Sequence, residues 1–454
     1  MAKRVDMRAV ALDTLIDIEK NKKLSHIAIG ETLMRYQFEQ KTDRAFYTRL
    51  CEGVIEREIY LDYILDTYSR TPMKKCKPLI RCLLRMGVYQ ILFMDVRDAA
   101  ACSEAVSLAK KRGFGRLSGF VNGILRTVTR EKDSLSLPDP GKDLPKYFSV
   151  LYSMPEWLVC LFLEQYGMET TEKMLDSFLK VRPFTIRTNL SLTTTQELEK
   201  ALAEEKILFK KGAYLPYAYH LSGINYPGKI SAFRKGWFAI QDESSQLAVE
   251  IADIREGDQI LDICAAPGGK ALHAADRLHG TGKVIARDLT EYKTDFIKEN
   301  CERMHYNHLI IEEWDALEED ESLRNGIDVL LADLPCSGLG IMGRKNDIKY
   351  QITKEQLSEL VLLQRRILSV AWKYVKPGGE MIYSTCTLNK EENEGNVRWI
   401  EENTPLKAIS IEERLPEKLQ GRTGKKGYLQ LIPGEDSCDG FFISKFRRPE
   451  EKER

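Results

Sequence analysis

The chain has 454 residues, of which 43% are hydrophobic and 30% are charged, proportions that are typical of a globular protein. This length exceeds one ordinary hydrophobic core, so we expect two or three domains. No apolar run approaches the roughly 20 residues needed to cross a bilayer, and the first residues lack the apolar stretch of a secretory signal. These features argue against a membrane or secreted protein and predict a cytoplasmic one.

The formal net charge is zero, but the charge is unevenly distributed. Residues 1–140 and 141–235 are net basic, whereas residues 236–454 are net acidic. This division would suit a catalytic domain with appended modules that bind a polyanion. Ordinary scatter of surface charge explains it equally well. The ten cysteines form no Cys-x-x-Cys pair, so we expect neither a metal site nor a disulfide framework.

The N-terminal region predicts an all-α domain, because apolar positions recur there at helical spacing. The predicted helices cover 5–18, 43–59, 78–94, 99–111 and 117–129. Lysines and arginines collect near the helix ends, where solvated loop charge is a commoner explanation than RNA binding. Residues 131–147 are polar and proline-rich, which is typical of a linker. We therefore place the first domain at 1–140.

Two further regions follow. Residues 141–235 predict a linker and a small α+β domain, with helices near 155–166 and 194–205 and a strand at 184–189. Residues 236–454 alternate strands and helices, which predicts an α/β domain with a doubly wound, Rossmann-like sheet. Its predicted strands are 259–264, 283–288, 308–313, 328–333, 380–385 and 441–446, and its main helices are 352–375 and 391–402.

The first chemical motif follows the strand at 259–264 and opens a helix. It reads Leu261-Asp262-Ile263-Cys264-Ala265-Ala266-Pro267-Gly268-Gly269-Lys270. Small residues and paired glycines let the backbone pass close to a ligand at a helix N-terminus. The dinucleotide fingerprint Gly-x-Gly-x-x-Gly is absent from this turn, which argues against a nicotinamide or flavin enzyme.

Two aspartates follow the next strands. Asp288 ends the second strand, where an acid can accept hydrogen bonds from both ribose hydroxyls of a nucleoside. Asp315 follows the third strand and is placed to contact an adenine. Either residue could instead cap a helix. Their positions at successive strand ends favour an adenosyl cofactor at the carboxyl edge of the sheet.

Two cysteines lie at the ends of the fourth and fifth strands, in Asp333-Leu334-Pro335-Cys336 and Ser384-Thr385-Cys386-Thr387. A lone cysteine at a strand end usually serves packing, but two at adjoining ends indicate a paired-thiol site. Carbon 5 of cytosine is a poor nucleophile until a thiolate adds at carbon 6. Asp333 could then protonate or hydrogen-bond ring nitrogen 3. On this chemistry alone, either thiol could attack.

These motifs together resemble the NOL1/NOP2/Sun family of RNA cytosine-5 methyltransferases. Residues 1–130 resemble the NusB RNA-binding fold, especially at 84–90 and 121–126, which points to the branch acting on small-subunit (16S) rRNA. The resemblance implies S-adenosyl-L-methionine as cofactor, Cys386 as nucleophile and Cys336 as the residue that assists product release. It also implies cofactor contacts by Cys264, Ala265, Ala266, Pro267, Gly268, Gly269, Lys270, Asp288, Asp315 and Asp333. We expect a monomer.

The chain departs from the family pattern at three places. Ala271 replaces a common threonine, Leu334 replaces a common alanine, and residues 344–350 replace an Arg-x-Pro-Asp-x-Lys-Trp stretch. The third departure bears on the loop beside the target base and so on site specificity. Two other functions remain open: a non-enzymatic RNA-binding assembly factor, and a small-molecule methyltransferase. Cofactor binding tests the first alternative, and methyl transfer to rRNA against metabolites tests the second.

Overall fold

The computed structural model describes residues 5–224, 226–306 and 308–450. The chain divides into two compact units. The first, here the helical unit, contains the described residues up to Lys180 together with Met342–Gln351. The second, here the catalytic unit, contains Val181–Ile341 and the described residues from Ile352 onward.

The helical unit is built from α-helices, as predicted. They are α1 (Met7–Asn21), α2 (Ser25–Arg35), α3 (Lys41–Glu56), α4 (Glu58–Tyr68), α5 (Pro78–Phe93), α6 (Asp98–Lys111), α7 (Ser118–Glu131), α8 (Leu144–Leu151) and α9 (Glu156–Phe178). The single helix expected at 43–59 is two helices, because the chain leaves helical geometry at Arg57. The stretch expected to be a linker contains the start of α8, which the Asp143 side chain caps by accepting from the Lys146 amide at 2.9 Å.

One hydrophobic core holds α1–α7 together. Helix α5 is at its centre and begins with Pro78, which suits a first helical position because its missing N–H needs no partner there. The helix also buries a charge, Arg85, whose guanidinium donates to Asp62 at 2.6 Å and lies 3.1 Å from Glu58. The core therefore contains a paired cation as well as apolar side chains.

The segment Met342–Gln351 belongs to the helical unit although its neighbours in sequence do not. Asp347 accepts a hydrogen bond at 2.8 Å from the amide of Ser25, the first residue of α2. Lys349 donates to the carbonyl of Glu56, the last residue of α3, at 2.8 Å. Both side chains are buried. The third departure from the family pattern is thus packed against helices, and its bearing on specificity stays a prediction.

The catalytic unit begins with a small antiparallel sheet in the order β2-β3-β1-β4. Its strands are β1 (Phe184–Thr188), β2 (Leu208–Lys211), β3 (Ala218–Ser222) and β4 (Phe238–Ile240), with helices α10 (Thr195–Glu204) and α11 (Ser231–Arg234). A capping box between Thr194 and Glu197 starts α10. The predicted small α+β region is confirmed, with its strand as β1 and its second helix as α10.

The larger sheet has the order β10-β12-β9-β8-β5-β6-β7, with β11 paired to β12. The strands are β5 (Gln259–Asp262), β6 (Lys283–Asp288), β7 (Leu309–Glu313), β8 (Ile327–Asp333), β9 (Val375–Thr385), β10 (Lys407–Ala408), β11 (Tyr428–Leu431) and β12 (Phe441–Arg447). The helices are α12 (Glu243–Ile251), α13 (Gly269–Arg277), α14 (Glu291–Arg303), α15 (Lys354–Ala371) and α16 (Glu394–Asn403). The predicted doubly wound α/β fold is confirmed.

Strands β5–β9 are parallel, and β12 runs antiparallel to β9. The central strands are buried because separate hydrophobic cores cover them, one including residues of α12–α14 and the other including residues of α15 and α16. Strand order reverses between β5 and β8, and ligands of such sheets bind beyond the carboxyl ends at that switch point. The glycine-rich loop and the Asp333 motif follow the two strands at this point, and the other predicted motifs follow the neighbouring strands at the same edge of the sheet.

Candidate active site

The glycine-rich loop at 261–270 joins the end of β5 to the start of α13. Gly268 has a φ of 102°, a conformation that L side chains rarely adopt, so the turn into α13 requires glycine. The amide of Ala265 donates to the carbonyl of Arg287 at 2.8 Å and ties the loop to the end of β6. Neighbouring strands therefore fix the backbone of the loop.

An open cavity with about 500 Å³ of empty space, its mouth included, lies against this loop. The predicted cofactor residues that line it are Cys264, Ala265, Ala266, Pro267, Gly269, Lys270 and Asp333. Residues from the entry to the catalytic sheet also line it, namely Ile240, Gln241, Asp242 and Ser245, together with Asp262 at the end of β5. The sequence motif and the cavity thus coincide.

The two predicted catalytic cysteines lie together, with 3.3 Å between Cys336 Sγ and Cys386 Sγ. They come from loops after the neighbouring parallel strands β8 and β9. The hydrogen bond with Cys386 and burial raise the pKa of the Cys336 thiol well above its usual range, so Cys336 keeps its proton at neutral pH. The loops meet closely: Gly340 donates its amide to the Cys386 carbonyl at 2.9 Å. A Cβ at Gly340 would fall 2.8 Å from that carbonyl oxygen, so glycine is required there.

Asp333, the last residue of β8, accepts hydrogen bonds at both carboxylate oxygens. Lys270 donates to Oδ2 at 2.5 Å, and Ser384 donates to Oδ1 at 2.9 Å. The Lys270 ammonium also lies 5.1 Å from the centre of the Phe441 ring, a cation–π distance. Asp333 lines the cavity with Lys270, and its bond to Ser384 connects the cavity to β9, the strand that ends just before Cys386.

Family comparisons place this site in context. Residues 5–130 match the NusB family, residues 154–225 match an RsmF/B-like ferredoxin-like methyltransferase domain, and residues 249–447 match the 16S rRNA methyltransferase RsmB/F family. A relative from Bacillus subtilis (strain 168), a probable ribosomal RNA small subunit methyltransferase B, is 34% identical over 450 residues. The match covers 98% of this chain and 99% of the relative.

The chain belongs to the 16S rRNA methyltransferase RsmB/F family. The resemblance drawn from the motifs and the NusB-like N-terminal region are therefore confirmed. The fold agrees as well: the crystal structure of PH0851 matches 99% of this chain and 100% of its own with a TM-score of 0.82 and 23% identity. NSun6 from Pyrococcus horikoshii with SFG matches 66% of this chain and 100% of its own, with a TM-score of 0.58 and 21% identity.

Three predicted cofactor residues of this RsmB/F chain do not line the cavity, namely Gly268, Asp288 and Asp315. Asp288 accepts hydrogen bonds from the amide of Ala266 at 2.9 Å and from Lys293 Nζ at 2.9 Å. Asp315 accepts from the amide of Leu317 at 2.9 Å, a local turn contact. Asp288 lies at the end of β6 and holds the loop that the cavity follows. Contact of either aspartate with the cofactor stays a prediction.

A buried glutamate, Glu392, joins the two cysteine loops and was not predicted from the sequence. Glu392 is fully buried and accepts four hydrogen bonds. The donors are Ser337 N at 2.9 Å, Ser337 Oγ at 2.5 Å, Gln364 Nε2 at 2.9 Å and Asn389 Nδ2 at 3.1 Å. Ser337 follows Cys336 directly, and its hydroxyl is also 2.6 Å from that of Thr387, which follows Cys386. The only sequence signal was an acidic run, 391–394, shortly after the second cysteine motif.

The residues that line the cavity fit an adenosyl cofactor in their chemical character. The lining combines small residues of the glycine-rich loop with charged side chains at one sheet edge. The side-chain atoms Asp262 Oδ1 and Gln241 Nε2 are buried without a hydrogen-bond partner. Burial raises the pKa of Asp262 to about 7. Unsatisfied buried polar groups are uncommon in native proteins, so these atoms indicate a polar ligand.

Over residues 5–224, 226–306 and 308–450, no group of His, Cys, Asp or Glu side chains is arranged to hold a metal ion. All ten cysteines are free thiols. Within the same described residues, no helix is both long enough and apolar enough to cross a membrane.

Proposed function

We propose that this chain transfers a methyl group from S-adenosyl-L-methionine to carbon 5 of a cytosine in small-subunit (16S) rRNA, through a covalent bond between Cys386 and the base. As a member of the RsmB/F family, it is an S-adenosylmethionine-dependent rRNA methyltransferase. The proposal adds the atom that is methylated and the covalent intermediate. The observation that carries it is the pair of thiols 3.3 Å apart, on the loops that follow Asp333 and its hydrogen-bond partner Ser384, of which Asp333 lines the cavity.

The cofactor assignment has support from both residues and relatives. The loop 264–270 and Asp333 would hold S-adenosylmethionine, with Asp288 and Asp315 as further predicted contacts. The SFG in the NSun6 structure is an analogue of S-adenosylmethionine. When bound, S-adenosylmethionine supplies a sulfonium methyl group, which carbon 5 of the base accepts.

The chain's own residues begin the reaction at carbon 6 of the cytosine. The Cys386 thiolate adds there, forming a sulfur–carbon bond and pushing electron density toward ring nitrogen 3. Asp333 hydrogen-bonds or protonates nitrogen 3 with a proton that it receives from Lys270, whose ammonium donates to Asp333 Oδ2 at 2.5 Å. The ring then has enamine character, and carbon 5 becomes nucleophilic.

Release requires carbon 5 to lose its proton to solvent water, nitrogen 3 to return its proton to Asp333, and the sulfur–carbon bond to break. The electron pair of the carbon–hydrogen bond re-forms the ring double bond as the Cys386 thiolate departs. Because Cys336 keeps its proton at neutral pH, its thiol can donate a hydrogen bond to that departing thiolate. Cys336 thus assists the step in which enzyme and product separate. The target base must leave any stack to reach both thiols.

The helical unit supplies the RNA-binding part of the proposal. Its match to the NusB family covers residues 5–130, and its basic residues exceed its acidic ones. Basic domains bind the negatively charged phosphate backbone of nucleic acids independently of its sequence. We therefore assign residues 1–140 to RNA binding, residues 141–235 to the linker and small α+β region, and residues 236–454 to catalysis.

The decisive test compares single-cysteine variants with 16S rRNA and cofactor. Cys336→Ala should accumulate a covalent protein–RNA adduct that survives denaturing electrophoresis, because attack proceeds and release does not. Cys386→Ala should form no adduct and should lose methylation by at least about 1,000-fold, as when other covalent nucleophiles are removed. Cys160→Ala, which changes an exposed thiol outside this site, is the matched control and should behave like the wild type.

Normal turnover by Cys336→Ala without adduct would contradict the release role. Retained methylation by Cys386→Ala would contradict the nucleophile. Mapping 5-methylcytosine in 16S rRNA with and without the gene then identifies the substrate base. A methyl group found on another atom would overturn the carbon 5 assignment while leaving the family assignment intact.

A further inference from the structure

Two buried side-chain atoms at the cavity lack hydrogen-bond partners. Gln241 is 6% exposed and Asp262 is 1% exposed, yet Gln241 Nε2 and Asp262 Oδ1 are both unpaired. One atom is a donor and the other belongs to a carboxyl group. Because a buried polar atom without a partner is destabilising, two of them in one cavity indicate a ligand that carries both an anionic and a cationic group.

The orientation of the Gln241 amide is fixed by a buried ion pair. Gln241 Oε1 accepts from Arg187 Nε at 3.0 Å, and Arg187 Nη1 donates to Asp276 at 2.6 Å. Arg187 is fully buried. With its oxygen held by the guanidinium, the amide cannot turn over without losing that bond, so its NH₂ group stays directed away from Arg187.

The Gln241 NH₂ group lies beside the N-terminus of α13. A Cβ built on Gly269, the first residue of α13, would be 3.8 Å from Gln241 Nε2. The first amides of a helix have no partner within the helix and carry partial positive charge. Gly269, having no side chain, leaves this corner open. The corner therefore offers several N–H donors to an anion such as a carboxylate.

Asp262 provides the complementary group. It lines the same cavity, and burial holds part of its population protonated near neutral pH. A ligand ammonium beside it would favour the carboxylate form. An anion site and a cation site on one small cavity match an α-amino acid, which carries a carboxylate and an ammonium on the same carbon.

We propose that Gln241 and the N-terminus of α13 bind the carboxylate, and that Asp262 binds the ammonium, of the amino-acid end of S-adenosylmethionine. Arg187 is a positioning residue, because it acts by holding Gln241. This inference rests on the cofactor named in the proposed function. It adds residues from outside the glycine-rich loop, and it assigns them to one end of the ligand.

The test is ligand truncation, measured by calorimetry on the full chain. S-adenosylhomocysteine carries the amino-acid end, and 5′-methylthioadenosine lacks it. Gln241→Leu should lower the affinity for S-adenosylhomocysteine by about 10- to 100-fold, the effect of losing one hydrogen bond to a charged group. The affinity for 5′-methylthioadenosine should change by no more than about two-fold. Gln241→Glu, which keeps the shape and the Arg187 contact, should give the same selective loss. Arg187→Met should also lower the affinity ratio of the two ligands.

Each outcome separates the subsite from the proposed function. If the variants lower the affinity for both ligands equally, or for neither, the assignment of the amino-acid subsite is overturned while cofactor binding stands. If the wild type binds neither ligand, the cofactor assignment fails and the subsite fails with it. Asp288→Asn is the control for the nucleoside end and should weaken both ligands to the same extent. Folding of each variant is checked by its thermal transition before and after adding 5′-methylthioadenosine.

Discussion

The catalytic unit buries two polar clusters that differ in how completely their hydrogen bonds are made. Around Glu392, each carboxylate oxygen accepts two hydrogen bonds from the loops that follow β8 and β9 and from α15. At the cavity, Gln241 Nε2 and Asp262 Oδ1 have no partner. Both clusters are buried, but the hydrogen bonds of the Glu392 carboxylate are all made, whereas the Gln241–Asp262 pair has two atoms without a partner.

The difference separates two uses of buried polarity. A fully satisfied network resists rearrangement, because any shift leaves a group unpaired at a cost of about 1–3 kcal/mol. Such a network suits the positioning of two thiols. An unsatisfied pair carries that cost in the free protein and recovers it when a ligand binds. The Glu392 cluster is therefore expected to control turnover, and the Gln241–Asp262 pair is expected to control cofactor affinity.

The largest expected effect comes from breaking the satisfied cluster with Glu392→Gln. Both carboxylate oxygens of Glu392 act as hydrogen-bond acceptors. A glutamine would replace one of them with an NH₂ group, which cannot accept from the two donors that face it. Gln364 cannot compensate by turning its amide, because that would break its bond to the Pro335 carbonyl. We expect methylation turnover to fall by roughly 10- to 100-fold, since displacements of about 1 Å cost that much. S-adenosylhomocysteine affinity should stay within about two-fold.

The matched control for this variant is Glu391→Gln, which changes the same residue type at the neighbouring, 64% exposed position and should keep full turnover. A second measurement separates positioning from general loss of stability. Glu392 contributes, with Cys386 and Asp333, to the raised pKa of Cys336. Alkylation of Cys336, followed by mass spectrometry, should therefore begin at lower pH in Glu392→Gln. Equal turnover in both variants would show that the cluster does not position the thiols.

The reactive side chains were the most predictable part of this site. Asp333, Cys336 and Cys386 follow neighbouring parallel strands, whose carboxyl ends must meet at one edge of a sheet. Glu392 was not predictable, because its partners come from three separate segments and nothing in an acidic run distinguishes a buried glutamate from a solvated one. Gln241 was equally hidden, since its role depends on Arg187, which lies 54 residues away in sequence, on the strand that pairs with β4.

The fold shows the same division between local and long-range information. Long periodic helices and buried parallel strands were predicted well, because their patterns repeat over many residues. Strands β2–β4 were missed because they are short, and because β3 and β4 pair with β1, which is distant in sequence. The break at Arg57 within the helix predicted at 43–59 was missed, because the apolar periodicity continues through Arg57 although the helical backbone geometry does not.

A smaller effect is expected from the unsatisfied pair, as a pH dependence of cofactor affinity. Burial, opposed by Lys270 and reinforced by Asp333 and Asp288, raises the pKa of Asp262 to about 7. Because an ammonium binds the carboxylate form, S-adenosylhomocysteine affinity should rise about 10-fold from pH 6 to pH 8. Asp262→Asn should flatten this rise. The affinity of 5′-methylthioadenosine should change little with pH, and an equal rise for both ligands would assign the titration to another group.

The smallest expected effect concerns Lys349 in the helical unit. Its hydrogen bonding is intermediate between the complete bonding of Glu392 and the incomplete bonding of Gln241 and Asp262. Its buried ammonium donates to one carbonyl, that of Glu56, and faces Glu58, Arg57 and the Tyr350 ring. Burial lowers the pKa of Lys349 to about 7, far below its value in an unfolded chain. Between these two values the unfolded state binds more protons, so stability should rise with pH above about 7.

Lys349→Met removes that titration and should flatten the rise of the melting temperature between pH 7.5 and pH 9.5. We expect a difference of a few degrees, at about 2–4 °C for each kcal/mol. Lys142→Met, at an 85% exposed lysine, is the matched control and should keep the wild-type slope. If Lys349→Met also keeps that slope, the ammonium is satisfied by its single carbonyl and the carboxylates near it. Lys349 would then resemble Glu392, because its hydrogen bonding would already be complete in the free protein.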